Sequence, residues 1–257
     1  WSPHSGSRFA FATAPFLYYD IKVIKDYLEK NKTEFERWLV HNEQGRVEIK
    51  ILPHLKDIEN GFFIEAGALD GLFMSNTKIL EDLGWKGLLV EPSYKAALRC
   101  RENRTSLVEE CCLVSKEYGE DTIFGDFVLD GEHGVGAWSS VNHHTYGQLM
   151  GKSFQSFIIE VRAKTLESIL DKYNIKTVDF FSLDVEGYEL EVLKGIDFSK
   201  VDIKFLLIEV NLKDYTLKMM DDFMFDKGYK NLGCLSNFSK EADPNWEGSH
   251  QDYLYSR

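Results

Sequence analysis

What this chain lacks narrows it first. No apolar run approaches the length of a membrane span, and the first residues do not read as a signal peptide. No stretch of Lys or Arg is dense, and the formal net charge is −12, with 42 acidic against 30 basic residues. So acidic a chain is a poor match for a nucleic-acid backbone, whose binders present a basic surface. The four cysteines (Cys100, Cys111, Cys112, Cys234) lack metal-ligand spacing. Cys111 and Cys112 adjoin on an expected strand, so their side chains should face opposite sides. Buried thiols are the expectation there, with one disulfide as the alternative. Repeats, low-complexity tracts and a convincing interdomain linker are also missing. What remains, 257 residues with 44% hydrophobic and 14% aromatic content, suits one substantial α/β domain with additions.

The informative stretch runs from Gly61 to Pro92. The apolar run Phe62-Phe63-Ile64 ends in Glu65, and a turn with Gly67 and Gly71 follows. Ser75 can then cap a helix that puts Ile79, Leu80 and Leu83 on one face. A second apolar run, Leu88-Leu89-Val90, ends in Glu91. Strand, glycine turn, helix, strand and acid is the order that binds a nucleoside at the carboxyl edge of a parallel sheet. Glycine lets the backbone approach the ligand, and Glu91 suits a bidentate hydrogen bond to two ribose hydroxyls. A dinucleotide would need G-x-G-x-x-G, with pyrophosphate on the helix amino end. Here Leu69 replaces the small residue, while Glu65 and Asp70 put carboxylates where phosphates would lie. A nucleoside with a cationic tail, S-adenosylmethionine, fits that charge.

Two more apolar strands end in acids. Residues 178–195 read VDFFSLDVEGYELEVLKG, with Asp184 at the strand end, and 205–211 read FLLIEVN, with Glu209 and then Asn211. With the first segment, these resemble the FkbM-type methyltransferase family, over roughly residues 60–235. The shared marks are a D/E-x-G-A-x-x-G turn carrying Gly67, Ala68 and Gly71, a V-E-P at Glu91, and D-V-E-G-Y-E-L-E-V-L-K-G from Asp184. The wording is most similar to invertebrate members, related to the domain of the insect Star protein. The resemblance implies a Rossmann-like class I methyltransferase fold, α/β with a seven-stranded, mostly parallel sheet. It also implies S-adenosyl-L-methionine as cofactor and a hydroxyl acceptor, of a sugar, a glycan or a small molecule.

Methyl transfer to an alcohol needs a positioned base or a metal, because a hydroxyl's pKa lies far above seven. Asp184, Glu209 and Asn211 can supply oxygen ligands to Mg²⁺ or Mn²⁺. The alternative gives Asp184 a metal-free role, as base or as partner of the cofactor's ammonium. His143 and His144 are further candidate bases, or plain loop histidines. Glu186 follows the fourth strand closely enough to reach substrate, whereas Glu189 reads as structural, suiting a helix amino end. Asn76 could contact the cofactor's carboxylate or serve a cap. Trp138, among glycines and serines in the 131–144 segment, could stack on a sugar ring or fill the core.

The expected organisation is an N-terminal helical extension over 1–59 and a methyltransferase domain over 60–257, with a substrate-recognition insertion near 113–160. Periodicity suggests amphipathic helices within 20–44, and 46–52 (RVEIKIL) alternates as a strand would. The start Trp1-Ser-Pro-His-Ser-Gly-Ser reads as a cloning remnant over 1–8, so a missing anchor or signal carries little weight. Sequons at Asn31, Asn103 and Asn237 hint at a secretory, Golgi-type lumen.

Overall fold

A computed structural model describes residues 47–120, 122–128, 156–211, 216–236 and 250–257. The helices expected within 20–44 lie outside the described residues, as do Trp138, His143 and His144. Along the chain, α1 (Val47–Lys50) and α2 (Leu52–Leu55) precede β1 (Phe62–Ala66), α3 (Lys78–Asp82) and β2 (Lys86–Val90). Then come α4 (Tyr94–Asn103), β3 (Leu107–Glu109), β4 (Cys112–Leu113), β5 (Thr122–Val128), β6 (Ser156–Lys164) and α5 (Leu166–Lys172). The rest is β7 (Thr177–Leu183), α6 (Glu189–Lys194), β8 (Asp202–Asn211), α7 (Leu217–Asp226), β9 (Lys230–Cys234) and β10 (His250–Ser256).

Seven strands make one sheet in the order β3-β2-β1-β7-β8-β10-β9. The first five run parallel, and β10 enters antiparallel between β8 and β9. This is the Rossmann-like α/β arrangement that the acid-tipped apolar runs predict. Its strand order reverses between β1 and β7, and such a switch point opens a crevice beyond the carboxyl ends. A smaller sheet, β4-β6-β5, carries the antiparallel β5–β6 ladder in the region expected to be extended.

The core is two layers, one on each face of the main sheet. On one, Ile64, Leu88, Phe181 and Leu206 meet Ile169, Val192 and Met220 from α5, α6 and α7. On the other, Phe63, Leu89, Phe180 and Leu207 meet Ile51, Leu55, Ile79 and Trp85. Three helices start at side-chain caps: Ser93 accepts from Ala96 N–H, Thr165 from Ser168 N–H and Thr216 from Met219 N–H.

Residues 47–52 are helical, which corrects the expected strand. Val47, Ile49 and Ile51 alternate, but Val47, Ile51, Leu52 and Leu55 also fall on one helical face, and that face is buried. Pro53 near the start of α2 lacks only an N–H that a first turn leaves unused. The strand expected over 106–112 divides: β3 ends at Glu109 and Cys112–Leu113 crosses to pair with β6. All four cysteines are free thiols, so the disulfide alternative falls.

Candidate active site

Pleating sorts the sheet residues by face, and the register lines up one face across four strands. Phe63, Phe180 and Phe205 form an apolar row, with Glu65 and Ser182 paired one step nearer the carboxyl edge. At the edge, Asp184 follows Ser182, while Glu209 pairs with Asp252 and Asn211 with His250. The same pleat therefore runs from greasy interior to a polar rim within two residues per strand.

The turn after β1 is shaped around the end of β7. Gly67 has φ +83°, and a Cβ there would lie 1.8 Å from the Asp184 carbonyl oxygen. No side chain fits, so this glycine is obligatory for β1 and β7 to meet as they do. Gly67 and Ala68 donate their N–H groups to the Val90 carbonyl, at 3.0 and 3.3 Å. Leu69 adopts φ +50°, a left-handed conformation rare for its type, and thereby aims its N–H at Glu91 Oε2, 2.9 Å away. The Ser93 N–H donates to the other oxygen at 2.8 Å. Each Glu91 oxygen keeps a second lone pair for a further donor. Burial raises the Glu91 carboxyl to about 7, with Asp70 adding repulsion and the two N–H donors acting in the opposite sense.

Glu65 has a different setting from the one its sequence position suggests. Its carboxylate accepts from Ser75 Oγ (2.8 Å), Thr77 Oγ1 (2.7 Å) and the Asn76 N–H (2.8 Å). Arg104 Nη1 stands 3.5 Å away. Arg104, at the end of α4, also binds Glu81 at 2.5 Å, the Gly71 carbonyl at 2.8 Å, and both Ser75 and Thr77 hydroxyls at 3.1 Å. Its side chain is 0% exposed and packs over the Phe63 ring. One buried guanidinium thus ties the glycine turn, the 72–77 loop and α3 together. Asp70 Oδ1 accepts from the Leu72 and Phe73 N–H groups and closes the turn from within. Asn76 Nδ2 donates to Ser182 Oγ at 3.1 Å.

Across the switch point the acids meet each other. Asp184 and Glu209 face each other, with an oxygen of each within 4.8 Å of the other. Burial, then the charges of Asp252 and Glu65, raise Asp184 to about 7, while the bonds from Glu209 and the Glu186 N–H oppose that rise. Glu209 is held well above the ordinary carboxylate range by burial and by Asp184, Glu186, Glu189 and Asp252. Asp252 rises to about 6, again through burial, against a Ser236 hydrogen bond and the charge of Lys50. Glu189 accepts the Val185 and Gly187 N–H groups on Oε1, at 2.9 and 3.1 Å. Oxygens of Asp184, Glu189 and Glu209 all lie within 4.8 Å of one another. Glu186 sits at φ +59° between them, in backbone geometry rare for a glutamate.

Of the residues singled out from sequence, the fold brings Glu65, Gly67, Ala68, Gly71, Asn76 and Glu91 around the turn. It brings Asp184, Glu186, Glu209 and Asn211 to the adjoining edge. Glu189 joins Asp184 and Glu209 in the oxygen cluster, while Asn211, the expected third ligand, is buried opposite His250. Sequence reasoning missed Arg104, Asp252 and His250, whose Nε2 stands 4.0 Å from Glu209 Oε1. An acid inside the apolar strand QDYLY was the available signal for Asp252; nothing local marks Arg104.

The family model described as Methyltransferase FkbM domain matches residues 65–230. No curated protein matches the chain. Among solved structures it is similar to a fibrillarin/Nop5p complex, at 12% identity over 80% of this chain and 78% of that one, TM-score 0.40. It is also similar to a precorrin-6y C5,15-methyltransferase from Geobacter metallireducens GS-15, at 10% identity over 84% and 92%, TM-score 0.43. A third is a SAM-dependent methyltransferase from Aquifex aeolicus, at 10% identity over 93% and 98%, TM-score 0.37.

Proposed function

We propose, from the premise that this chain belongs to the FkbM methyltransferase family and so uses S-adenosylmethionine, that it methylates a hydroxyl of a sugar or glycan. The residues present fit that cofactor. Glu91 is buried, already anchored by two N–H groups, and can take both hydroxyls of a ribose on its remaining lone pairs. The edge beside it is acidic, which suits sulfonium and ammonium charge and opposes a pyrophosphate. When bound, the cofactor supplies an electrophilic methyl carbon.

One observation carries the hydroxyl reading: the close carboxyl pair Asp184–Glu209, at the carboxyl edge beside Gly67, with burial raising both out of the ordinary carboxylate range. An acid near neutrality is matched to taking a proton from an acceptor hydroxyl as the oxygen–carbon bond forms and the carbon–sulfur bond breaks. Asp184, as the carboxylate, takes the proton and becomes the neutral acid beside Glu209, while the sulfonium becomes a neutral thioether, and Glu186 and Asn211 hold neighbouring hydroxyls. Asp184, Glu189 and Glu209 offer hard oxygen donors and would hold Mg²⁺ or Mn²⁺, which would lower the pKa of a coordinated hydroxyl. A secretory-lumen setting belongs to the same proposal. It rests on the sequons at Asn31 and Asn237, because the Asn103 amide is engaged by the Asp70 carbonyl at 2.9 Å.

The test is a panel of monosaccharide glycosides and small alcohols with labelled donor, with and without chelator. Label should enter as O-methyl on sugars, and loss of transfer with chelator would assign the metal role. Transfer to nitrogen or carbon alone would refute the hydroxyl reading. Binding of S-adenosylhomocysteine without any transfer would favour an interaction domain of the Star type instead.

A further inference from the structure

A polar cavity of about 360 Å³ lies between α4, β3, β6 and α5. That volume is near the lower end of small-molecule sites, about 300–1,000 Å³. Its walls carry four cations, Arg101, Arg162, Lys164 and Lys172, against two carboxylates, Glu109 and Glu110. A local positive excess is notable on a chain of net charge −12.

Three of the four cations are held in place. Glu109 accepts from Lys164 Nζ at 2.8 Å, from Tyr173 Oη at 2.5 Å and from Lys172 Nζ. Burial would raise the Glu109 carboxyl, but those three donors bring it down to about 2, so it stays charged and keeps both lysines on the wall. One carboxylate cannot neutralise two ammonium groups. Arg101 is matched by Glu110 at 3.2 Å. Arg162 lies two residues before Lys164 on β6, so both side chains leave the same face of the strand. Arg162 is exposed and makes no ion pair among the described residues. The cavity adjoins the cofactor side of the sheet, since the Glu91 N–H donates to the Glu109 carbonyl at 3.0 Å.

From this geometry we infer that the cavity binds a phosphate or sulfate group. Arg162 offers a planar fork for two oxygens, and Lys164 and Lys172 add point charges from neighbouring elements. The group arrives either as a free anion or as an ester on the acceptor. Binding of the anion is independent of the hydroxyl reading above and is measured without any methyl transfer.

Calorimetric titration of the whole chain decides the matter, using inorganic phosphate, inorganic sulfate, a sugar 6-phosphate, a sugar 6-sulfate and the parent sugar. At low salt, where charge attraction is least screened, one or more of the anions should bind. An ester that binds tighter than both its anion and its parent sugar identifies an acceptor substituent; equal binding of anion and ester identifies a free anion. Arg162→Ala with Lys172→Ala leaves Lys164 and Tyr173 on Glu109 and should weaken the anion about tenfold or more, with S-adenosylhomocysteine affinity unchanged. If the double variant fails to fold, Arg162→Ala alone, an exposed change, should still weaken binding severalfold. No heat from any anion on folded wild type, undiminished binding in the variants, or a parallel loss of S-adenosylhomocysteine affinity would each overturn the inference.

Discussion

The acids along one carboxyl edge of this sheet fall into two settings. On the β1–β3 side Glu65 and Glu81 share Arg104, and Glu109 has Lys164 and Lys172, with Glu91, held by two N–H groups and raised by burial, as the exception. On the β7–β8–β10 side, Asp184, Glu209 and Asp252 are all raised chiefly by burial, with neighbouring carboxylates adding repulsion to each. Lys50 and His250 reach the margin of that group without reversing it. Glu91 aside, the first half completes its own electrostatics and so serves the fold. Under the proposed function, a cationic cofactor, a metal or a transferred proton would complete the second half, which would make it the working part.

The sharpest way to break this contrast is to neutralise one acid on each side. Asp184→Asn keeps shape and removes the proton acceptor, so methyl transfer should fall about 10²–10⁴-fold. Its thermal midpoint should hold or rise, because a buried, repelled charge has gone. A variant that keeps full activity would remove Asp184 from the chemistry while leaving the fold intact.

Arg104→Ala probes the other half, and there the loss should appear in stability. Removing the guanidinium strands Glu65 and Glu81 in the interior and frees the Gly71 carbonyl and two hydroxyls. Breaking a buried pair in this way costs about 3–5 kcal/mol. Urea unfolding would show it as a lower midpoint at unchanged slope. Were Arg104→Ala to unfold no more easily than wild type, the compensated half would not be a folding device.

The same contrast explains what was readable in advance. Short, predominantly apolar runs closed by an acid mark buried parallel strands whose tips meet solvent, so β1, β2, β7 and β8 and their acids could be placed. The long D-V-E-G-Y-E-L-E-V-L-K-G segment fixed the family. Arg104 was unreadable because its partners are distant in sequence and the periodicity of α4 shows a face without showing what it opposes. Asp252 reaches Glu209 only through antiparallel insertion of β10, a pairing no local pattern announces. Residues 46–52 satisfied both a strand and a helix period, and burial of the four-residue spacing decided for helix. Glu189 was read as a helix-start carboxylate, which it is, but its position also completes the oxygen triangle.

The smallest predicted effect concerns pH, and here the raised acids and the lowered acids pull in opposite directions. Asp184 and Glu91, at about 7, and Asp252, at about 6, have native pKa values raised above those of unfolded carboxyls. Between about pH 4 and 7 the native state therefore holds protons that the unfolded chain has released, and stability falls as pH rises through that window. Glu109, at about 2, and Glu81, lowered by Ser106 and Arg104 against burial, behave oppositely. Their stabilisation is complete above about pH 4.5 and is lost only in stronger acid. Together they place maximal stability of the ligand-free protein at about pH 4–4.5, with the thermal midpoint a few degrees lower at pH 8. Scanning calorimetry at fixed ionic strength measures this, and Asp184→Asn should flatten the decline. A midpoint that climbs steadily from pH 5 to 8, or a variant that declines as steeply as wild type, would show that the acid edge is compensated after all. Methyl transfer should rise with pH through about 7 as Asp184 loses its proton, so the protonation that best holds the empty fold together is also the one that silences its base.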